Sequence, residues 1–212
     1  QAGVRSTAFA TTEAPEVTPG GLSTPAFVVR RRLDGGYTVS IRGRGTLELT
    51  PQGLRYARSF LPMFLKHRED GISLRVGRSF IEGPEALARW SLDEVSPFER
   101  IRVLDPAPDQ AVVDEGMKEL KSAYKAFEGV QPARAWGGWI DFMPDAIPTI
   151  SAVPKLPGFY LATGFSGHGF GIGPAAGRLA ADLVAGDPPL VDPSPFRYAR
   201  LFDGTMGPVG PM

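Results

Sequence analysis

The stretch Gly164-Phe165-Ser166-Gly167-His168-Gly169-Phe170-Gly171-Ile172-Gly173 constrains this chain more than any other. Five of its ten residues are glycine, and it lies between an apolar, strand-length run, Leu156 to Ala162, and a helix-patterned segment. In that segment Ala176, Leu179, Ala180 and Leu183 fall at i, i+3, i+4 and i+7. Pro174 suits a first helical position and Gly186 a stop, so the pattern predicts a helix over 174–185. A strand, a glycine turn and a helix N-terminus together offer free backbone N–H groups and a positive dipole end. Such a place receives an anion or a polarised carbonyl. The competing reading is a glycine-rich turn that only packs a helix against a strand.

Composition narrows the ligand. The 212 residues carry 23 Lys+Arg and 23 Asp+Glu, so neither a nucleic-acid nor a membrane-surface partner is expected. The absence of cysteine removes disulfides, thiolate metal sites and Cys nucleophiles. It suits a reducing compartment, and the cytoplasm is the expected location. No apolar run approaches the roughly 20 residues of a membrane span. His67 and His168 are the only histidines and lie far apart in sequence, so no metal site is expected. The opening Gln1-Ala2-Gly3 reads as a start inside a longer product or as a processed subunit.

Taken in order, Thr7 to Thr11 reads as a strand and Thr12 to Gly21 as loop. Phe27 to Val29 and Tyr37 to Arg42 read as a hairpin about Asp34-Gly35. Thr46 to Leu49 is a further strand, and Thr50-Pro51 opens a helix carrying Leu54, Ala57, Leu61 and Phe64 to about Lys66. Short strands are expected at Ile72 to Val76 and Ile101 to Leu104, with a short helix at Pro84 to Trp90. Asp109 caps a helix whose apolar stripe is Val113, Met117, Leu120, Tyr124 and Phe127. Ala133 to Ile140 is extended and Trp-rich, and Asp141 to Pro148 is a turn. The spread of 21 prolines and 26 glycines fits a loop-rich α+β fold.

Several chemistries can be weighed from residues alone. Gly171, Gly173 and Gly177 give G-x-G-x-x-x-G, one residue too long for a dinucleotide fingerprint, with no room for a following βαβ unit. A nicotinamide dinucleotide is therefore disfavoured. Ser166 lacks the spacing of a nucleophile elbow, and His168 is too near in sequence to act as its base. His168 is either a turn residue or a polar group beside a ligand. In Trp136-Gly137-Gly138-Trp139, glycines on a strand would let a flat group approach the backbone, with the ring of Trp139 beside it; the bland alternative is a bulge between core tryptophans. Arg42 and Arg44 are candidates for a bidentate carboxylate fork, whereas Arg30 to Arg32 read as a solvated hairpin end.

Read together, Trp136-Gly137-Gly138-Trp139-Ile140-Asp141-Phe142-Met143-Pro144-Asp145-Ala146-Ile147-Pro148-Thr149-Ile150 and Gly158-Phe159-Tyr160-Leu161-Ala162-Thr163-Gly164-Phe165-Ser166-Gly167-His168-Gly169-Phe170 resemble a known pattern. It is that of the C-terminal part of the FAD-dependent D-amino acid oxidase, glycine oxidase and sarcosine oxidase group. The likeness is specific over about residues 131–190 and looser over 1–130. It implies an α+β or α/β fold: a mixed antiparallel substrate-domain sheet with helices over 1–140, of which 1–25 is the part that would cross from the FAD domain. Residues 141–212 would then be the C-terminal strand-turn-helix of a glutathione-reductase-like FAD-binding domain whose N-terminal half is missing.

The resemblance also implies a site. The turn would lie against the pyrimidine edge of the flavin, with Gly138, Gly164, Phe165, Ser166, Gly167, His168, Gly169, Phe170, Gly171 and Ile172 as cofactor-binding residues. His168, Arg42 and Trp139 are the candidate catalytic residues. An amino acid or secondary amine would lose hydride to flavin N5, leaving an imine for hydrolysis. Some relatives attach flavin through a cysteine near Gly138, which this chain lacks. Their lysine after the Gly-His-Gly-Phe run is Gly171 here, and the arginine ahead of the Asp145 turn is replaced by Ile140 and Asp141. FAD is thus expected to be non-covalent with respect to this chain. The N-terminal G-x-G-x-x-G half is expected on a second polypeptide. A truncated, non-catalytic paralogue serving as scaffold or regulatory subunit is the alternative.

Overall fold

The computed structural model describes residues 2–66, 71–77, 79–82 and 89–208. Two compact units emerge. One comprises Val4–Thr50 and Asp70–Trp139, the other Gln1–Gly3, Pro51–Glu69 and Ile140–Met212.

The first unit is built on a mixed sheet. Its strands are β1 (Ala2–Thr11), β2 (Gly21–Ser23), β3 (Phe27–Arg31), β4 (Tyr37–Ile41), β5 (Gly45–Glu48), β6 (Ile72–Arg75) and β7 (Pro132–Phe142). Their order is β2-β3-β4-β1-β5-β6, with β7 also pairing to β1. The expected hairpin is present in the register Val29 opposite Val39. Asp34 shapes its turn: Oδ1 accepts from the Gly36 N–H at 3.0 Å, and Gly35 takes φ +80°. Period-2 alternation puts Phe9, Phe27, Val29, Tyr37 and Val39 on one buried face. That face packs on Val113, Met117 and Leu120 of a helix at Gln110–Ala123, and on Phe127 just beyond it. Gly116 is required there, because a Cβ would sit 2.6 Å from Cε1 of Phe9.

The helices are α1 (Pro51–Lys66), α2 (Ser79–Glu82), α3 (Pro97–Arg100), α4 (Gln110–Ala123) and α5 (Gly169–Ala185). Asp109 caps α4 as its pattern predicts, accepting from the Ala111 N–H at 3.0 Å. Helix α4 stops at Ala123, before the end of its apolar stripe, and Phe127 reaches the core from a 3-10 turn.

Four expectations need correction. Ile101 to Leu104 forms no strand; it is irregular, and Val103 is 77% exposed, because no strand among the described residues pairs with it. The apolar run from Leu156 yields a strand only from Tyr160: Val153 to Phe159 closes into a turn, with Gly158 at φ +82°. The loop expected over Thr12 to Gly21 ends one residue early, because Gly21 opens a strand, Gly21–Ser23, held to β3. Helix α5 begins at Gly169, five residues before Pro174, which therefore lies inside it. As the sixth helical residue, Pro174 has no N–H to give the Phe170 carbonyl, and the helix runs on through it to Ala185 with one backbone bond fewer. The helix expected over 84–90 lies largely outside the described residues; Arg89 and Trp90 are not helical. His67 also lies outside them.

In the second unit, β8 (Thr149–Ala152) and β9 (Tyr160–Thr163) form an antiparallel pair, Ile150 opposite Ala162. Ile150 packs with Ala176 and Leu179 of α5. Gly186 ends α5 at φ +77°, donating its N–H to the carbonyl of Asp182, as the sequence predicts.

Candidate active site

The glycine turn hangs from the end of β7. Asp141 there accepts twice through Oδ2, from the Thr163 hydroxyl at 3.1 Å and the Gly164 N–H at 2.9 Å. Its backbone carbonyl accepts from the Ser166 N–H at 2.9 Å. The Ser166 hydroxyl in turn accepts from the Met143 N–H at 3.1 Å and donates to the Gly164 carbonyl at 3.3 Å. Within four residues, Gly164, Ser166 and Gly167 all take left-handed φ, at +76°, +51° and +87°. For Ser166 that conformation costs about 1–3 kcal/mol, and the surrounding bonds hold it there. Ser166 is only 4% exposed with its hydroxyl turned inward, so it shapes the turn rather than offering a nucleophile.

The turn then delivers the start of α5. The His168 N–H donates to the Phe165 carbonyl at 2.8 Å, and the His168 carbonyl accepts from Gly171 and Ile172. Among the described residues, the N–H groups of Gly167, Gly169 and Phe170 meet no acceptor. A Cβ on Gly171 or Gly173 would meet nothing within 4 Å, whereas one on Gly169 would come 3.3 Å from Cβ of Phe165. Phe170 is fully exposed, His168 is exposed and makes no side-chain cap, and Phe165 packs toward the α5 core. Gly164 to Ile172 thus form one continuous element: open donors, a helix dipole and free space. The donor set matches a polarised carbonyl edge or an anion.

Gly138, Trp139 and Arg42 belong to the β-sheet unit. Gly138 has open space where its Cβ would be. Gly137 does not: its Cβ would run into the Pro106 and Ala107 carbonyls, so it is the chain's own backbone that approaches there. Arg42 follows β4, is exposed, and reaches Ser23 Oγ at 3.4 Å. Arg44 is committed to Glu115 in a bidentate pair, Nε to Oε2 2.9 Å and Nη2 to Oε1 2.6 Å. Of the hairpin arginines, Arg32 pairs with Asp34, and Arg31 lies over the Tyr37 ring at 4.9 Å.

Two polar features escape sequence reasoning. One is Asp141. The other is Arg200, 2% exposed, which donates from Nε to Asp145 Oδ2 at 2.8 Å, from Nη1 to Thr149 Oγ1 at 3.1 Å and from Nη2 to the Ile147 carbonyl at 2.6 Å. Its sequence signal is slight: it is one of two arginines, with Arg197, in an aromatic tail. Among the described residues, no group of three or more metal-ligating side chains is placed to hold an ion, and no helix is long and apolar enough to cross a membrane.

The family model for FAD dependent oxidoreductases (DAO) matches residues 3–183. The chain belongs to this family. FAD is its cofactor, and the free N–H groups and open glycines of the turn fit a flavin edge. A glycine oxidase of Pseudomonas aeruginosa is 34% identical over 95 residues, 43% of this chain and 26% of that protein. FAD-dependent oxidoreductase domain-containing protein 1 of Bos taurus is 37% identical over 87 residues, 40% of this chain and 18% of that protein. The solved L-amino acid deaminase from Proteus vulgaris superposes with a TM-score of 0.83 at 27% identity, covering 95% of this chain and 46% of that one. The chain therefore spans less than half the length of these relatives. As a DAO-family chain it has a mixed α/β fold, with its sheet and helices arranged as in those enzymes.

Proposed function

We propose that this chain supplies the substrate side and the C-terminal part of the cofactor site in a flavoprotein that oxidises the C–N bond of an amino acid or secondary amine. The observation that carries the reading is the turn from Gly164 to Ile172, with the N–H groups of Gly167, Gly169 and Phe170 free at a helix start. These donors and the α5 dipole would hold the carbonyl edge of a bound flavin, where a helix N-terminus favours negative charge. FAD, when bound, supplies a two-electron hydride acceptor. The glycines at 171 and 173 leave room for the ring. Residues 1–140 are the substrate-domain portion and residues 141–212 the C-terminal part of the FAD domain. By the family likeness, Gly138 and Trp139 would line a bound flavin, His168 would provide a polar group to it, and Arg42 would hold the substrate carboxylate. The substrate amine is released as an imine, which water hydrolyses. Glycine oxidases and an L-amino acid deaminase among the relatives support this substrate class.

The ADP half of FAD needs a G-x-G-x-x-G element, which the 212 residues do not contain. We assign that half to residues outside this sequence, on a second polypeptide. Intact mass of the purified yellow protein tests it: two species support the assignment, and a single 22.7 kDa species holding FAD contradicts it. The activity is tested by anaerobic bleaching of the flavin bands across amino acids, N-methyl amino acids and secondary amines. Bleaching by one class supports the proposal. A colourless protein that never takes up flavin favours the scaffold or regulatory reading instead.

A further inference from the structure

We propose that Asp141 is a positioning residue for the flavin-facing turn, a role that rests on the flavin reading above. The turn contains three left-handed residues in four, at Gly164, Ser166 and Gly167. A backbone of that shape does not hold itself in place. What fixes it is a short polar clamp, and Asp141 is the residue that enters the clamp at every level. Its carboxylate takes the hydroxyl of Thr163, the last residue of β9, and the N–H of Gly164, the first residue of the turn. Its carbonyl takes the N–H of Ser166 two residues on. Ser166 then closes back on Met143, two residues after Asp141 in the chain. The end of β7 and the start of the turn are thereby locked in one register.

The donors assigned to the flavin come next in sequence. Between Phe165 and Phe170 the chain is braced by the bond from His168 N–H to the Phe165 carbonyl. A shift at Gly164 is therefore passed on to the N–H groups of Gly167, Gly169 and Phe170. Asp141 does not need to touch the cofactor. It sets where the donors point, and hydrogen bonds lose strength steeply when their angle degrades. The carboxylate is suited to this task because one charged oxygen accepts two donors, each bond stronger than a neutral one.

The test uses the flavoprotein stripped of FAD, with FAD titration and amide hydrogen exchange as readouts. Asp141→Ala should raise exchange across 164–170 while exchange in the sheet unit stays unchanged. It should weaken FAD binding about 10- to 100-fold, the loss expected from one or two charge-assisted bonds. Asp141→Asn keeps an acceptor in place and should recover most of the affinity. If Asp141→Ala does not fold, Thr163→Val removes a single bond to the carboxylate and should weaken binding about 3- to 10-fold. Wild-type affinity in the variant tested, Asp141→Ala or in its place Thr163→Val, overturns the proposal, whatever the exchange shows. Exchange that rises throughout the protein, with Asp141→Asn as weak as Asp141→Ala, marks a merely structural role and also overturns it. A wild-type protein that binds no FAD overturns the functional reading itself and this role with it.

Discussion

The two units bury different things. The sheet unit encloses large apolar side chains: Phe9, Phe27, Tyr37, Met117, Leu120 and Phe127 share one continuous cluster. Among the described residues, the second unit has a smaller buried apolar cluster, Ile150, Ala176 and Leu179, with Met63, Met143 and Val153 buried outside it, yet it buries the charged Asp145, Asp182 and Arg200 together with Thr149 and Ser166. Apolar burial is non-directional and scales with area. Hydrogen bonds and ion pairs fix distance and angle. The first unit is thus built for stability and the second for geometry, where the turn must present its donors at a fixed angle.

Perturbing one residue of each kind tests this contrast. Arg200→Ala leaves the Asp145 carboxylate, 0% exposed, without its cation. Removing one partner of a buried pair costs about 3–5 kcal/mol, so denaturant unfolding should show a loss of that size, whereas replacing Asp145 and Arg200 together by apolar residues should cost far less. A loss below about 1 kcal/mol for Arg200→Ala would mean the pair is not the anchor of this unit. In the sheet unit, Leu120→Ala should cost about 2–5 kcal/mol by transfer and cavity terms, while leaving the exchange pattern of 164–170 unchanged. If Leu120→Ala instead loosened the turn, the division of labour between the units would be wrong.

The smallest effect is electrostatic. Thr205, by side chain and backbone, and then Arg197 hold Asp203 below the usual carboxylate range, at about 2. Its folded pKa is depressed, so the stabilisation is present above the ordinary pKa near 4. It is lost as pH falls through about 2. The groups are exposed, so the change should be local, seen as an NMR titration of the Asp203 carboxyl with global unfolding little affected. A midpoint near 4 would show that these contacts are not kept in solution.

Elements with local signals were legible in the sequence. The Asp-Gly hairpin, α1 and the Asp109 cap of α4 depend on side chains a few residues apart. The start of α5 was not, because glycine carries no apolar pattern to mark a helix and Pro174 offered a false first position. Ile101 to Leu104 looks like a strand by composition, but strands exist only with partners. In the site, the glycine turn was legible as an anion-friendly helix end, and the Trp/Gly strand and Pro-Asp turn added the family likeness. The clamp was not: Asp141 and Thr163 are 22 residues apart, Asp145 and Arg200 55. Neither spacing follows a period. Gly137 illustrates the opposite error, since its space is filled by the Pro106 carbonyl rather than by a ligand.

The central claim is that the turn from Gly164 to Ile172 receives the flavin ring. Gly171→Val tests it most directly, because a Cβ there meets nothing within 4 Å, whereas one at Gly169 would press on Phe165. The visible spectrum of the purified protein is the measurement. The account predicts a Gly171→Val protein with wild-type circular dichroism and no flavin absorption. A folded variant with its full flavin content would contradict it.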